Sequence, residues 1–250
     1  MRKTSEVAQE TILASKALLL DLLRQAQRDE DEFAASLSQA ERLTAGAEND
    51  WSPKDEIAHA AAWIERFVQR IETPANEVAA ESNDDINSEN GLIFEAHRHQ
   101  SLDEVLTYSR EVRASLLATV DAYSEEDLND PALLPWLKAE PLWRRAAGNG
   151  YTHPLIHYAA YLTRHGRAAL ATRMEEDGAA RLSALDDSPS WRGEILYNLA
   201  CQFALNGDRE KALALLAESL SLQPGLREWS TKDTDLVSLR QDPAFLALVG

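Results

Sequence analysis

Apolar residues recur every three or four positions along most of this 250-residue chain, which is the spacing of one face of an α-helix. Alternating apolar and polar positions, the pattern of a half-buried strand, are nearly absent. Glycine and proline number only ten and nine, while alanine, leucine, glutamate and arginine, which favour helices, dominate. The sequence therefore predicts an all-α fold.

Four long segments carry the helical pattern, and with the long crossovers between them they predict a four-helix bundle. In the second segment Ser52, Pro53 and Asp55 occupy the N-cap, N1 and N3 positions of a helix start. In the third segment Ser101 and Glu104 form a capping box. The predicted bounds of the four helices are about 6–28, 52–73, 101–123 and 151–175.

The segments between these helices are predicted to be short helices or irregular chain. The acidic run 29–32 is expected as a solvated turn or a helix start, and residues 33–42 as a short helix. The polar segment 74–90 is expected to be a long connection with a lid-like role. Residues 124–128 open a short helical turn with a capping box, and 130–143 contain three prolines and should be irregular.

A separate helical segment follows Gly178, which marks a candidate boundary between a bundle domain, 1–177, and a C-terminal domain, 178–250. Residues 193–224 have the pattern of one tetratricopeptide repeat, a helix–turn–helix whose turn contains Gly207. The predicted helix-packing positions are Leu196, Leu199, Ala200, Phe203, Ala212, Leu216 and Ser219.

One such repeat buries too little apolar surface to be stable alone, since about three are normally required. We therefore expect the segment to dock on the bundle or on a second protomer. Leu236, Leu239 and Phe245 of the following tail would cap its exposed apolar edge. The segment is expected to be a structural or dimer-forming appendage, and a groove for a partner protein's peptide is the alternative.

The charge balance argues against some partners. The chain has 42 acidic and 25 basic residues, a net charge of −17, so we expect no binding to nucleic acid or to an anionic membrane. No apolar run approaches the ~20 residues of a membrane helix. The single cysteine, Cys201, suits a reducing compartment, and we expect a cytoplasmic protein. Cys201 is expected to be a small buried apolar residue, because no adjacent histidine could activate its thiol.

Three histidines form the most informative group of polar residues. His153 and His157 are four positions apart, so on a helix both imidazoles point the same way. With His59 from a neighbouring helix they would form a three-nitrogen metal site with an open coordination position. Imidazole suits several metals, so we expect a divalent metal such as zinc, nickel or iron without choosing among them.

The helical phase of these histidines separates them from the main core. At ~100° per residue, His59 lies about 140° from the centre of its helix's apolar stripe, and His153 and His157 lie opposite theirs. This placement fits a secondary cleft lined by aromatic residues, or simple exposure to solvent, and it argues against ordinary core histidines. Asp55 and Glu56 are candidates for the hydrogen-bond acceptor that a metal-binding histidine usually needs.

Other residues have competing interpretations. His97 and His99 are either a second metal set or part of an exposed polar segment, where Glu95 or Arg98 would contact a substrate. His165 is not expected to be a ligand, because it lies several turns further along the fourth helix. No nucleophile-elbow, phosphate-loop or dinucleotide motif is present, and no catalytic acid or base is assigned. The aromatic residues expected either to wall a pocket or to fill the core are Trp136, Trp143, Tyr151 and Tyr161.

The region around His59 resembles the second-helix motif of the DinB-like superfamily. That motif is an aromatic residue, a short cap, then a helix with one metal-binding histidine and an aromatic residue four positions later. Here it is Trp51-Ser-Pro-Lys-Asp-Glu-Ile-Ala-His59-Ala-Ala-Ala-Trp63. Further segments make the chain most similar to the ClbS/DfsB branch, over roughly residues 5–175. They are Ser101-Leu-Asp-Glu-Val-Leu106, Ser124-Glu-Glu-Asp-Leu128 and Gly148-Asn-Gly-Tyr-Thr-His153-Pro-Leu-Ile-His157.

The resemblance implies an up-down-down-up bundle, often dimeric, whose second and fourth helices bind a divalent metal through positions matched by His59, His153 and His157. Characterised relatives include thiol-dependent transferases and isomerases, and a self-resistance enzyme that opens an electrophilic cyclopropane. The implied function is a homodimeric, metal-dependent enzyme acting on an electrophilic small molecule by hydrolysis or thiol transfer. The alternative is a non-catalytic scaffold that recruits a protein partner through the C-terminal segment.

Overall fold

The structure is a computed structural model that describes residues 14–47, 50–73 and 83–250, with the backbone alone for 83–87. Within these ranges the chain forms helices and no β-strand, apart from one isolated bridge between Ala47 and Asp50. The predicted all-α fold is confirmed.

The helices follow one another through short connections. In chain order they are α1 (Lys16–Ser36), α2 (Gln39–Leu43), α3 (Pro53–Glu72), α4 (Asn83–His97), α5 (Leu102–Asp121), α6 (Glu125–Asn129), α7 (Leu142–Ala147), α8 (His153–Arg164), α9 (Ala168–Ser183), α10 (Pro189–Leu205), α11 (Arg209–Leu222), α12 (Leu226–Ser230) and α13 (Pro243–Val249). A π-helical turn, Gly148–Thr152, joins α7 to α8, and 3₁₀ helices cover Pro135–Leu137 and Thr234–Leu239.

The predicted starts of α3 and α5 are confirmed, and both depend on local capping. The Asp55 carboxylate accepts hydrogen bonds from the N–H and the hydroxyl of Ser52, at 2.9 and 2.6 Å. At α5 the Glu104 carboxylate accepts from the Ser101 N–H at 2.7 Å, and the Ser101 hydroxyl accepts from the Glu104 N–H at 3.3 Å. These contacts satisfy donors that the first turn of a helix leaves unpaired.

The acidic run 29–32 lies inside α1, so its prediction as a solvated turn or helix start is wrong. Glu30 is completely buried. Its carboxylate accepts hydrogen bonds from the Ser109 hydroxyl at 2.8 Å and the Tyr158 hydroxyl at 2.7 Å. The Arg113 guanidinium pairs with the same oxygen at 2.9 Å. Because the buried charge is neutralised, α1 continues through the acidic run.

Other predicted bounds also differ from those observed. The predicted start of the first helix lies outside the described residues, and the predicted short helix is divided between α1 and α2. The predicted connection 74–90 is wrong from residue 83 onwards, where α4 begins, and residues 74–82 lie outside the described ranges. The fourth helix is preceded by α7 and the π turn, and α8 ends at Arg164 because Gly166 takes a left-handed conformation (φ 75°).

The bundle consists of α1, α3, α5 and a continuous helical rod formed by α7, the π turn and α8, called the α7–α8 rod. α3 lies against α5 and α8, and α1 lies against α5, α7 and α8. One apolar cluster includes Ile64, Leu116 and Leu142, and a second includes Phe33 and Leu162. This packing agrees with the predicted bundle and leaves the polar face of α3 turned towards the start of α8.

α9 and α10 pack on the bundle, one of the two expected arrangements for the C-terminal segment. Leu182, Leu185 and Trp191 belong to the same buried cluster as the bundle helices. Gly178, the candidate boundary, lies within α9, where a Cβ atom would come within 2.4 Å of Leu155 Cδ2. The glycine therefore serves close helix packing at this point. The division of the chain into two domains at residue 178 remains a prediction.

α10 and α11 form the predicted helical hairpin, whose turn contains Gly207 in a left-handed conformation (φ 77°). The helices approach closely at Gly193, where a Cβ would lie 2.6 Å from Gln223 Cβ. The Ser219 hydroxyl donates to the Gly193 carbonyl at 2.7 Å. The predicted edge residues Leu236, Leu239 and Phe245 are buried in one apolar cluster with residues of α10 and α11. The tetratricopeptide assignment itself remains a prediction.

None of the helices in the described part of the chain has the length and apolar character needed to cross a membrane.

Candidate metal centre

The three histidines singled out in the sequence converge on one point. The Nε2 atom of His153 lies 3.2 Å from Nε2 of His59 and 3.1 Å from Nε2 of His157. One ring nitrogen from each residue lies within 4.8 Å of the others. α3 supplies His59, and the first turns of α8 supply His153 and His157. The structure therefore brings together residues that are 94 positions apart in the chain.

The histidines occupy a cleft between α3 and α8. His59 is only 4% exposed, and the other two are half-buried. All three line one cavity of the described residues. Their helical phase is thus explained by a secondary cleft, and simple exposure to solvent is wrong.

The π turn before α8 positions the imidazoles of His153 and His157. At Gly150 a Cβ atom would come within 2.5 Å of Leu23 Cδ2 and 2.6 Å of Leu116 Cδ2. Only a glycine allows the turn to press this closely against the bundle core. Pro154 follows in the first turn of α8, where its missing N–H would have no partner.

Burial keeps two of the imidazoles neutral. It lowers the pKa of His59 to about 2, with further lowering by the neighbouring His157 and His153. Burial, and then the proximity of His157, lowers the pKa of His153 to about 3. Neutral imidazole has a free ring-nitrogen lone pair, which is the form that binds a metal. The cleft thus presents lone pairs rather than positive charge.

Glu56 orients His157 from the opposite helix. Its Oε2 atom lies 2.7 Å from His157 Nδ1, and its Oε1 atom accepts from Arg164 at 2.5 Å. A carboxylate at Nδ1 holds the proton there and turns the Nε2 lone pair towards the other two histidines. Of the two candidate acceptors, Glu56 therefore serves His157, and Asp55 caps α3 instead. Sequence phase could not reveal this, because the contact runs between helices.

The other two histidines lack such an acceptor. Nδ1 of His59 and Nδ1 of His153 are buried without a hydrogen-bond partner among the described residues. Moreover, a single proton on His153 Nε2 could satisfy only one of its two close Nε2 neighbours. The three nitrogens are therefore poorly explained as a hydrogen-bonded group.

The same geometry fits a divalent cation. In a tetrahedral zinc site with Zn–N bonds of ~2.0–2.1 Å, neighbouring nitrogens lie roughly 3.3 Å apart. The observed separations, 3.1 and 3.2 Å, are close to this value. Three imidazoles also leave one coordination position open. The residues present thus suit a bound metal, without choosing which one.

A cavity of about 590 Å³ lies in front of the histidines. On one side the Trp51 ring lies 4.6 Å from the His59 ring, and the Trp63 ring lies 6.3 Å from it. On the other side stand residues from the C-terminal helices, among them Trp191 and Asn198 of α10. α10 therefore forms part of the wall of this cavity.

Charged residues at the rim are paired. Arg144 of α7 pairs with Glu194 of α10 at 2.5 Å, and Arg145 pairs with Glu140 at 2.6 Å. The first pair connects the two sides of the cavity.

Other candidate residues lie elsewhere. His97 stacks on Tyr108 at 4.9 Å, and Glu95 and Arg98 pair with each other at the surface. Neither these residues nor His99 line the described cavities, so the structure does not place them at a substrate. His165 bonds to the Tyr161 carbonyl and stays outside the centre, as predicted. The four aromatic candidates do not line this cavity, and three of them are core residues: Trp143, Tyr151 and Tyr161.

Fold and site together define a class: a helical bundle with a three-histidine centre that opens into an apolar-walled cleft. Residues 22–165 match the family model of the DinB superfamily, more than half of the chain. The protein belongs to this superfamily, whose members often bind metals. The match ends before α9, so the helices that complete the cavity lie outside it. No curated protein and no solved structure matches the chain significantly.

Proposed function

We propose that this protein is a metal-dependent enzyme of ClbS/DfsB type that acts on an electrophilic small molecule by hydrolysis or thiol transfer. The observation that supports this most strongly is the convergence of three Nε2 atoms, 3.1–3.2 Å between neighbours, at the edge of a 590 Å³ cavity. A purely structural histidine cluster needs neither this convergence nor a cavity beside it.

His59, His153 and His157 would hold the metal, with zinc, nickel and iron all compatible with imidazole ligands. Such a metal supplies Lewis-acid activation of water or a thiol at neutral pH. Glu56 fixes the orientation of His157, and Trp51 shields the histidines on one side. Apolar side chains in the cavity wall, such as Trp63 and Trp191, would pack against a bound substrate. The C-terminal helices contribute to enclosure, which favours the enzyme over a scaffold with a free C-terminal module.

The first test is metal content. Protein purified without chelators should carry about one equivalent of divalent metal per chain. His157→Ala should release it, because two imidazoles remain and the partner of Glu56 is lost. His165→Ala is the matched control, since His165 is on the same rod but bonds only to the Tyr161 carbonyl. A wild-type protein that is metal-free and binds no zinc, nickel or iron on titration would contradict the proposal.

The second test is turnover of model electrophiles. Metal-loaded protein should consume an epoxide or an activated cyclopropane, with water or an added thiol as the nucleophile. Comparing product formation with and without the thiol distinguishes hydrolysis from thiol transfer. Loss of turnover in His157→Ala but not in His165→Ala would support a role of the centre. Metal binding with no turnover for either nucleophile class would contradict the catalytic part. A homodimer remains a prediction that sedimentation can check.

A further inference from the structure

A second cavity, of about 420 Å³, lies between α9, α10 and the 3₁₀ helix Thr234–Leu239. It shares Ile156, Glu194 and Asn198 with the cavity in front of the histidines, so the two cavities are neighbours. None of the three histidines lines this second cavity.

The lining of the second cavity is strongly acidic. Four carboxylates line it together with the Cys201 thiol, and within the described part of the chain no lysine, arginine or histidine does. Two of the carboxylates are already satisfied. Glu194 pairs with Arg144. Asp233 Oδ2 accepts from the Tyr197 hydroxyl at 2.9 Å and from the Trp229 indole at 3.1 Å.

Glu175 and Asp235 are the two carboxylates that are left. Glu175 is 6% exposed, lies on α9, and receives neither a hydrogen bond nor an ion pair from the described residues. The Asp235 carboxylate likewise has no such partner among them, although its backbone N–H bonds to Asp233. Burial, and then repulsion by Asp235, raises the pKa of Glu175 to about 8. A buried carboxylate without a donor is costly, so a cation is expected to complete it.

A metal ion is one conceivable cation, because Cys201, Asp233 and Asp235 each bring a ligand atom within 4.8 Å of the others. Two observations disfavour it. The Cys201 sulfur lies 3.8 Å from Asp233 Oδ2, which suits a thiol donating to an oxygen that already has two donors. Burial and the neighbouring carboxylates raise the pKa of this thiol, so the thiolate that a metal prefers is disfavoured.

The shape and the walls of the cavity favour an organic cation. Its volume far exceeds that of a single ion, and apart from the amides of Asn198 and Gln202 its other lining side chains are aliphatic or aromatic. Trp229 and Tyr197 place rings beside the carboxylates, where a positive charge gains from cation–π attraction. Leu205 and Leu226 offer apolar surface to an alkyl chain.

We propose that this cavity binds a small organic cation whose primary ammonium group donates to Glu175 and Asp235 while its alkyl part lies against Leu205 and Leu226. An ammonium has three N–H donors and no acceptor, which complements carboxylates that lack donors. This inference does not rest on the metal centre.

The test is calorimetric titration of the full chain with n-butylamine hydrochloride in about 150 mM salt, which screens the general attraction of a protein with net charge −17. Butanol, the neutral analogue, should bind at least about tenfold more weakly, as should the amine to Glu175→Gln or Asp235→Asn. Glu176→Gln is the matched control, since Glu176 is the next residue, is exposed, and pairs with Lys211. This control should bind the amine as the wild type does.

Proton uptake or release gives an independent readout. Because Glu175 is largely protonated near pH 7, amine binding should release up to about one proton. Titrations in phosphate and MOPS buffers, neither of which carries a primary ammonium group, should therefore give different apparent enthalpies, and Glu175→Gln should remove the difference. The titratable groups that line the cavity with Glu175 are Glu194, Tyr197 and Cys201 from α10, Asp233 just before the 3₁₀ helix and Asp235 within it, and all are unchanged in that variant.

Three results would overturn the proposal. The first is equal affinity of the amine for the wild type, Glu175→Gln and Asp235→Asn. The second is equal affinity for butanol and butylamine. The third is cobalt binding through Cys201, seen as a thiolate charge-transfer band lost in Cys201→Ala, with no amine binding. Repeating the titration after EDTA treatment separates this site from the histidine centre, whose failure to hold metal would leave amine binding intact.

Discussion

The bundle core and the second cavity each bury a glutamate, and the two glutamates are satisfied in different ways. Glu30 is fully buried and accepts hydrogen bonds from Ser109, Arg113 and Tyr158. Glu175 is almost as deeply buried and receives no hydrogen bond or ion pair from the described residues. A guanidinium pairs with the first carboxylate inside the fold, whereas burial raises the pKa of the second to about 8, so that it holds a proton near neutral pH.

This difference separates carboxylates whose partners lie inside the fold from carboxylates that still lack a partner. A carboxylate fully paired inside the fold has nothing left to offer a ligand. A buried carboxylate with no donor has a structural cost that only a ligand or a proton removes. Glu56 is intermediate between these two kinds of carboxylate. Both of its oxygens are paired, but one partner, His157, is a residue of the histidine centre.

The largest expected effect is on the paired glutamate. Glu30→Gln should lower the free energy of unfolding by about 3–5 kcal/mol, because it leaves the buried Arg113 guanidinium without its counter-charge. Chemical denaturation measures this directly. Glu32→Gln, an exposed change within the same acidic run of α1, should alter stability by less than about 0.5 kcal/mol. Equal effects of the two variants would show that the Glu30 network contributes little.

Substitution of the unpaired glutamate, Glu175, should instead raise the free energy of unfolding, and the gain should grow as the pH rises. The pKa of Glu175 in the folded state, about 8, exceeds its value of ~4.3 in the unfolded chain. The native state therefore holds an extra proton between these values, and wild-type stability falls as pH rises through this range. Glu175→Gln carries no such charge, so it should gain about 4 kcal/mol relative to the wild type between pH 5 and pH 8.5.

The measurement is the difference in unfolding free energy between Glu175→Gln and the wild type at each pH, which removes contributions from other titrating groups. Glu176→Gln serves again as the control and should show no such trend. A difference between Glu175→Gln and the wild type that stays constant from pH 5 to pH 8.5 would mean that Glu175 is ionised throughout and has a partner.

Local sequence signals account for what could be predicted. Ser52 with Asp55 and Ser101 with Glu104 determine helix starts within a single turn, so the starts of α3 and α5 were predictable. The spacing of His153 and His157 placed two imidazoles on one face, and phase took them off the core stripe. The predicted helix order put His59 on a helix that a bundle could bring next to them, and the family resemblance implied the same metal site.

Contacts between helices could not be predicted in the same way. Glu30 follows Ala26 and precedes Phe33 on the buried stripe of α1, so a signal was present, but the four consecutive acidic residues pointed to solvent instead. The pairing of Glu56 with His157 and the wall that α10 adds to the cavity both depend on tertiary packing. The absence of a partner for Glu175 depends in the same way on what the other helices fail to bring near it.

The smallest expected effect concerns Glu56, and it tests whether its pairing serves the fold or the site. Glu56→Gln keeps the size of the side chain but removes the charge that holds the Nδ1 proton of His157. Loss of such an acceptor typically weakens metal binding by about 10–100-fold. Zinc affinity, measured by competition with a chromophoric chelator, should fall by this factor. Glu65→Gln, on the same helix and bonded only to Tyr108, should bind zinc as the wild type does.

Stability decides between the two roles of Glu56. Because Arg164 is about half exposed, losing its pairing with Glu56 should cost little, on the order of 1 kcal/mol or less. A large loss of stability with unchanged zinc affinity would place Glu56 with Glu30, as a group that completes the fold. A clear loss of zinc affinity with near-normal stability would instead show that a buried, paired carboxylate can act mainly through the residue it orients. Pairing alone would then not show whether a buried carboxylate serves the fold or a site. The identity of its partner would also have to be known.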